Sequence, residues 1–130
     1  MPAGPMKTAC MALLLALVIG AAAHAELRVT VRGGDVSIDT SRFPPQMLAA
    51  YRLMMQKCSK CHSIERVVVS AQTGICTVTR TTFSKETTKA IVTRMYLKPE
   101  SNMTRREALA IWRFLDYLLD QKVTIVERKD

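Results

Sequence analysis

Cys58-Ser59-Lys60-Cys61-His62 is the stretch of this chain best equipped for chemistry. Two thiols three positions apart, with an imidazole directly after the second, form the c-type haem attachment pattern. Each thiol can add to one vinyl group of a porphyrin as a thioether, and the adjacent imidazole can then take the iron as its proximal ligand. Both covalent anchors and one axial bond would come from a single helical turn.

A Cys-x-x-Cys pair alone also suits a dithiol redox site, half of a zinc site or a structural disulfide. A histidine after the second cysteine occurs in some disulfide isomerases as well. Residue counting narrows these. Cys10 and His24 fall in an N-terminal leader and Cys76 stands alone, so too few Cys or His ligands remain to complete a zinc site. A thioredoxin-like reading wants a βαβ context that the surrounding residues do not show.

The leader has the pattern of a secretory signal peptide. Lys7 supplies the positive start, the stretch from Ala9 to Ala23 is apolar, and Ala23-His24-Ala25 is a small-x-small cleavage site. The apolar run falls short of the roughly 20 residues a membrane-spanning helix needs. The expected location is periplasmic or otherwise exported, after cleavage near Ala25, where thioether attachment of haem is completed in c-type cytochromes. Taking the 25-residue leader from 130 residues leaves 105, and the formal charge of +8 loses Lys7 alone, giving +7. That is one small basic domain. Its charge favours redox partner proteins with an acidic docking face, or an anionic membrane surface. Nucleic acid is not an expected partner, since no aromatic-interleaved basic motif is present.

The elements that must position the motif follow in chain order. Gly33-Gly34 suits a two-residue type I′ turn. Arg32 then pairs with Asp35, Thr30 with Ser37 and Arg28 with Asp39 on one face, and Val31 with Val36 and Val29 with Ile38 on the other. This hairpin arm spans residues 26–42, and its apolar face must cover either the domain that follows or Val123-Thr124-Ile125-Val126, a candidate short strand in the 121–130 tail. Pro44-Pro45 opens a helix in which Met47, Leu48, Tyr51, Met54, Met55 and Cys58 recur at helical spacing, placing the motif at its C-terminal end. Ser63 to Phe83 reads as a long loop wrapping the site, with an extended piece at Val67-Val68-Val69. Ser84 caps a second helix running to about Leu97, with Thr87, Ala90, Ile91 and Met95 on one face. Thr104-Arg105-Arg106-Glu107 is a capping box for a third, whose Ala108, Ile111, Trp112, Leu115, Leu118 and Leu119 form a buried stripe crossing the first helix at Tyr51.

With His24 in the leader, His62 is the one histidine of the mature chain, which rules out bis-histidine ligation within it. Met47, Met54 and Met55 precede the motif on its own helix and read as core filler. Met95 and Met103 lie farther along, and either can present a thioether to the iron's other face.

From Phe43 to about Leu119 the chain resembles the small monohaem c-type cytochromes of bacterial respiratory chains. The resemblance rests on Phe43-Pro44-Pro45, on Ala49-Ala50-Tyr51, on the haem motif through Ser63, and on Val92-Thr93-Arg94-Met95-Tyr96-Leu97-Lys98-Pro99-Glu100-Ser101-Asn102. It implies an all-α cytochrome c-like domain over residues 43–120, with three main helices around one covalent haem c. It also implies His/Met ligation and one-electron transfer without enzymatic turnover. Within it, the Arg-Met pair before Lys-x-Pro recurs, whereas the Met103 position is commonly aliphatic, so Met95 is the preferred sixth ligand and Met103 the alternative. The middle segment departs from the relatives: Cys76 appears there, and the tryptophan often found near Phe83 does not. Cys76 is an odd thiol in an oxidising compartment, suited to an intermolecular disulfide or to inert burial. Arg66, Arg94 and Lys98 are candidate partners for the haem propionates. The alternative function is a haem-based ligand-binding protein or small peroxidase with an open distal site.

Overall fold

The computed structural model describes residues 26–128. The leader and its cleavage site lie outside these residues. Strands β1 (Glu26–Arg32) and β2 (Asp35–Ile38) are followed by helices α1 (Pro45–Cys58), α2 (Ile64–Thr73) and α3 (Lys85–Tyr96). A 3₁₀ turn at Pro99–Ser101, helix α4 (Arg105–Leu119) and strand β3 (Lys122–Glu127) complete the fold.

The hairpin takes the expected register, with Val29 opposite Ile38, Thr30 opposite Ser37, Val31 opposite Val36 and Arg32 opposite Asp35. The Asp39 amide donates to the Arg28 carbonyl at 2.9 Å, extending the ladder by one pair. Gly33 and Gly34 both have positive φ, 55° and 90°, which the primed turn requires and which costs a glycine least.

The expected all-α domain with a peripheral hairpin arm is overturned. Among the described residues the architecture is mixed α/β, with four helices and a three-stranded sheet of order β2-β1-β3. Strand β3 runs parallel to β1 from Glu26 opposite Lys122 to Val31 opposite Glu127. The hairpin is therefore half of a structural layer. Leu27 and Val29 are 1% and 0% exposed and belong to the same core as Ala50, Ile111, Phe114 and Leu118. Alternation supplies the reason: every second residue of β1 is apolar, and burying that row needs a helical layer beneath it.

The second correction is α2, which occupies most of the segment expected to be a loop, with Val67-Val68-Val69 helical rather than extended. Ile64, Val67, Val68 and Ala71 share a face at i, i+3, i+4 and i+7, and burying Val68 outweighs the weak helix preference of a valine run. Gly74 stops the helix in the left-handed conformation (φ 69°), its amide donating to the Ser70 carbonyl at 2.9 Å.

The other helix starts follow their caps. Ser84 and Thr87 form a reciprocal capping box, as do Thr104 and Glu107. On α3 the buried residues are Thr88 and Val92, with Ala90 exposed, so the inward face is rotated by about one residue from the expected stripe. Helix α4 crosses α1 at the expected place, the rings of Tyr51 and Phe114 lying 5.7 Å apart, and Phe43 packs on both. Among the described residues no helix is long and apolar enough to cross a membrane.

Leu27→Ala is expected to cost about 2–5 kcal/mol in urea unfolding, as for a large core side chain. A loss under about 0.5 kcal/mol would mark β1 as a loosely attached arm. The Glu107 carboxyl is held below the usual carboxylate range, first by the Thr104 amide, with Lys57 adding to the effect. A carboxyl lowered on folding adds stability above its unfolded range, and that stability is lost as pH falls through the lowered value. Glu107→Gln is therefore expected to flatten the acid limb of stability against pH, measured by urea unfolding between about pH 2 and 6.

Candidate functional site

Helix α1 ends on Cys58, and the motif continues the chain as a tight turn. The amides of Cys61 and His62 both donate to the Cys58 carbonyl, at 3.2 and 3.0 Å. The Ser59 hydroxyl donates back to the Met55 carbonyl, holding the turn against the helix end. Ser63 is extended (φ −70°, ψ 149°) and starts α2. Within this turn Cys58 is half-buried, Cys61 exposed and His62 half-buried. Burial, helped by the neighbouring Cys61, pushes the Cys58 thiol up.

Cys58 and His62 line a cleft of about 920 Å³, counting its open mouth, and its walls are overwhelmingly apolar. Met95 and Met103 line the same cleft. So do Val67 of α2, Phe83, Val92 of α3, and Ile111 and Leu115 of α4. Of the expected site residues, Cys58, His62, Met95 and Met103 are thus brought together, while Cys61 lies outside the lining. The two methionines differ in their surroundings. Met103 packs against the hydrophobic core, whereas Met95 is not among the residues packed there. Arg66 and Arg94 line the cleft and Lys98 does not.

Arg66 Nη1 lies 3.4 Å from His62 Nδ1. A guanidinium only donates, so a hydrogen bond here needs Nδ1 as the acceptor. Ligation of a metal through Nε2 requires the proton on Nδ1 instead, and then Arg66 must turn away.

Reasoning from sequence left Cys76 outside the site, yet it lines this cleft and is 7% exposed. Its loop is pinned on several sides: the Cys76 amide donates to the Thr81 carbonyl at 2.8 Å, the Phe83 amide to the Gly74 carbonyl at 2.8 Å, and the Thr77 amide to Ser70 Oγ at 3.2 Å. Burial pushes the Cys76 thiol up, but the Thr79 hydroxyl and the amides of Thr79 and Val78, with Arg94 nearby, outweigh it and hold the thiol below its usual range. Val67 and Ser70 were missed as cleft residues because their segment read as a loop; their helical spacing and the Gly74 stop were the available signal.

The lining fits a flat, largely apolar group. Its walls carry few polar groups, and its sulfur and imidazole side chains belong to the donor types that a haem iron takes. Among the described residues, no three His, Cys, Asp or Glu side chains converge to hold a metal ion, so Cys58 and Cys61 have no partners for a zinc site. No protein-family profile, curated protein or solved structure matches this chain.

Cys76 is expected to resist iodoacetamide in the native protein and to react fully once unfolded, read by mass spectrometry of the labelled peptide. Native labelling as fast as that of a free peptide thiol would contradict its burial.

Proposed function

We propose that this protein is an exported one-electron carrier using one covalent haem c. The observation that carries the reading is the sharing of one apolar cleft by Cys58 at the end of α1, His62 in the turn after it and Met95 of α3. The Cys58 and Cys61 thiols would anchor the haem as thioethers, and the His62 imidazole and Met95 thioether would hold its iron. When bound, haem supplies an Fe(II)/Fe(III) couple. The apolar walls from α2, α3 and α4 exclude water, and a thioether ligand favours the reduced state, which raises the potential. Arg66 and Arg94, both on the cleft wall, would be the partners of the propionate carboxylates. Met95 is preferred to Met103 because it is not engaged in the core. In this reading the chain performs no bond chemistry on a substrate. Its partners are redox proteins with an acidic face, with an anionic membrane surface as the other compatible contact.

Covalent haem is expected to remain on the denatured chain, visible by haem staining of a gel. The native ferric protein is expected to be low-spin, with the weak far-red charge-transfer band of methionine-bound iron. Met95→Leu, which nearly conserves volume, is expected to abolish that band, and Met103→Leu to keep it. An unchanged band in Met95→Leu would overturn the choice of ligand. A high-spin native iron that binds carbon monoxide readily would favour an open-site ligand-binding protein or peroxidase. A chain without covalent haem would leave a dithiol oxidoreductase.

A further inference from the structure

Lys57 immediately precedes Cys58, yet its side chain is only 15% exposed and points away from a solvated role. Its ammonium donates to the Asn102 carbonyl at 2.5 Å and pairs with Glu107 Oε1 at 3.3 Å. Glu107 in turn accepts from the Thr104 amide at 2.7 Å. Met103 is thus flanked on both sides by groups that Lys57 organises.

The hold extends to Met95 through consecutive turns. The Lys98 amide donates to the Met95 carbonyl at 3.1 Å, and the Ser101 amide to the Lys98 carbonyl at 3.1 Å. The Asn102 amide donates to the Pro99 carbonyl at 3.3 Å, with Asn102 itself in the left-handed region (φ 42°). From Met95 to Asn102 the backbone is therefore a short, tied segment, and its far end is fastened to the helix that carries Cys58.

We infer that Lys57 is a positioning residue: by holding the Asn102 carbonyl it sets the Met95–Met103 segment against the helix end that carries the haem motif. The inference rests on the proposed haem function but not on which methionine ligates. A charge-assisted bond is roughly twice as strong as a neutral one, and this one joins residues 45 positions apart in the chain. Without it, the segment is joined to α1 only through packing, and a sixth ligand drawn from that segment is held less firmly.

The test is competition by imidazole for the sixth position of the ferric haem-loaded protein, followed spectroscopically well below the melting temperature. Lys57→Met is made in a Glu107→Gln background, so that no carboxylate is left without its partner. Relative to Glu107→Gln alone, the added Lys57→Met is expected to lower the imidazole midpoint by about tenfold, the equivalent of one lost charge-assisted hydrogen bond. Glu107→Gln alone, which leaves the ammonium–carbonyl bond in place, is expected to titrate like the native protein, and Lys57→Arg to restore most of the native midpoint. Amide exchange at Lys98, Ser101 and Asn102 is expected to accelerate in the double variant. Leu27→Ala, which destabilises the sheet outside the cleft lining, controls for stability alone and is expected to leave the midpoint unchanged. An unchanged midpoint on losing Lys57, or an equal shift in Leu27→Ala, would overturn the inference while leaving the haem function standing. Failure to find covalent haem in the native chain would instead overturn the function itself.

Discussion

The burial of α4 is the constraint on which the rest of the molecule depends. Phe114 and Leu118 reach into the core with Leu27 and Val29 of the sheet, and Phe43 and Tyr51 stack around Phe114. Ile111 and Leu115, on the same helix, line the cleft. One helix thus serves as the floor of the core and as a wall of the site. Its capping box and its ion pair to Lys57 fix where that helix begins, and hence which residues fall on each side. Disturbing the packing of Phe114 would reach the cleft through a rigid element rather than through a loop.

The features legible in the sequence were those encoded within a few residues. The Gly33-Gly34 turn and alternating charges determined the hairpin register, and Ser84 and Thr104 marked helix starts through local hydrogen bonds. The parallel partnership of β1 with β3 was hidden because its information is split between the two ends of the chain. Val123 to Val126 had the composition of a strand but no local signal for the strand it would join. Val67-Val68-Val69 misled for a different reason: β-branched residues prefer extended structure, and only the tertiary burial of Val68 reverses that preference. For the candidate site, the Cys58–His62 motif and the two methionines were visible by residue type. The membership of Cys76 and Val67 in the same cleft was not, since it follows from α2 being a helix.

The site joins a turn whose geometry is set locally to a methionine-bearing segment whose geometry is set at a distance. Cys58, Cys61 and His62 are held by bonds to the Cys58 carbonyl and the end of α1. Met95 and Met103 instead depend on α3, on the 3₁₀ turn and on Lys57. This division makes the motif turn robust and leaves the methionine segment adjustable. Arg66 falls between the two, close enough to His62 to bias its proton and present on the cleft wall to meet an anionic group.

The parallel pairing of β1 and β3 also orders events in time. Leu27 sits beside Val123, so the central ladder joins residues 96 positions apart in the chain. A ribosome must finish β3 before that ladder can form, and closing so long a loop is among the slower steps available to a small domain. Helices α1 and α2, held by local hydrogen bonds, form on a much shorter timescale. Alone, helices this short are marginal in water, so until β3 arrives the turn that carries Cys58, Cys61 and His62 has no locked cleft walls around it. The Cys58 and Cys61 thiols are thus accessible for as long as the last strand is missing and the core is unsealed.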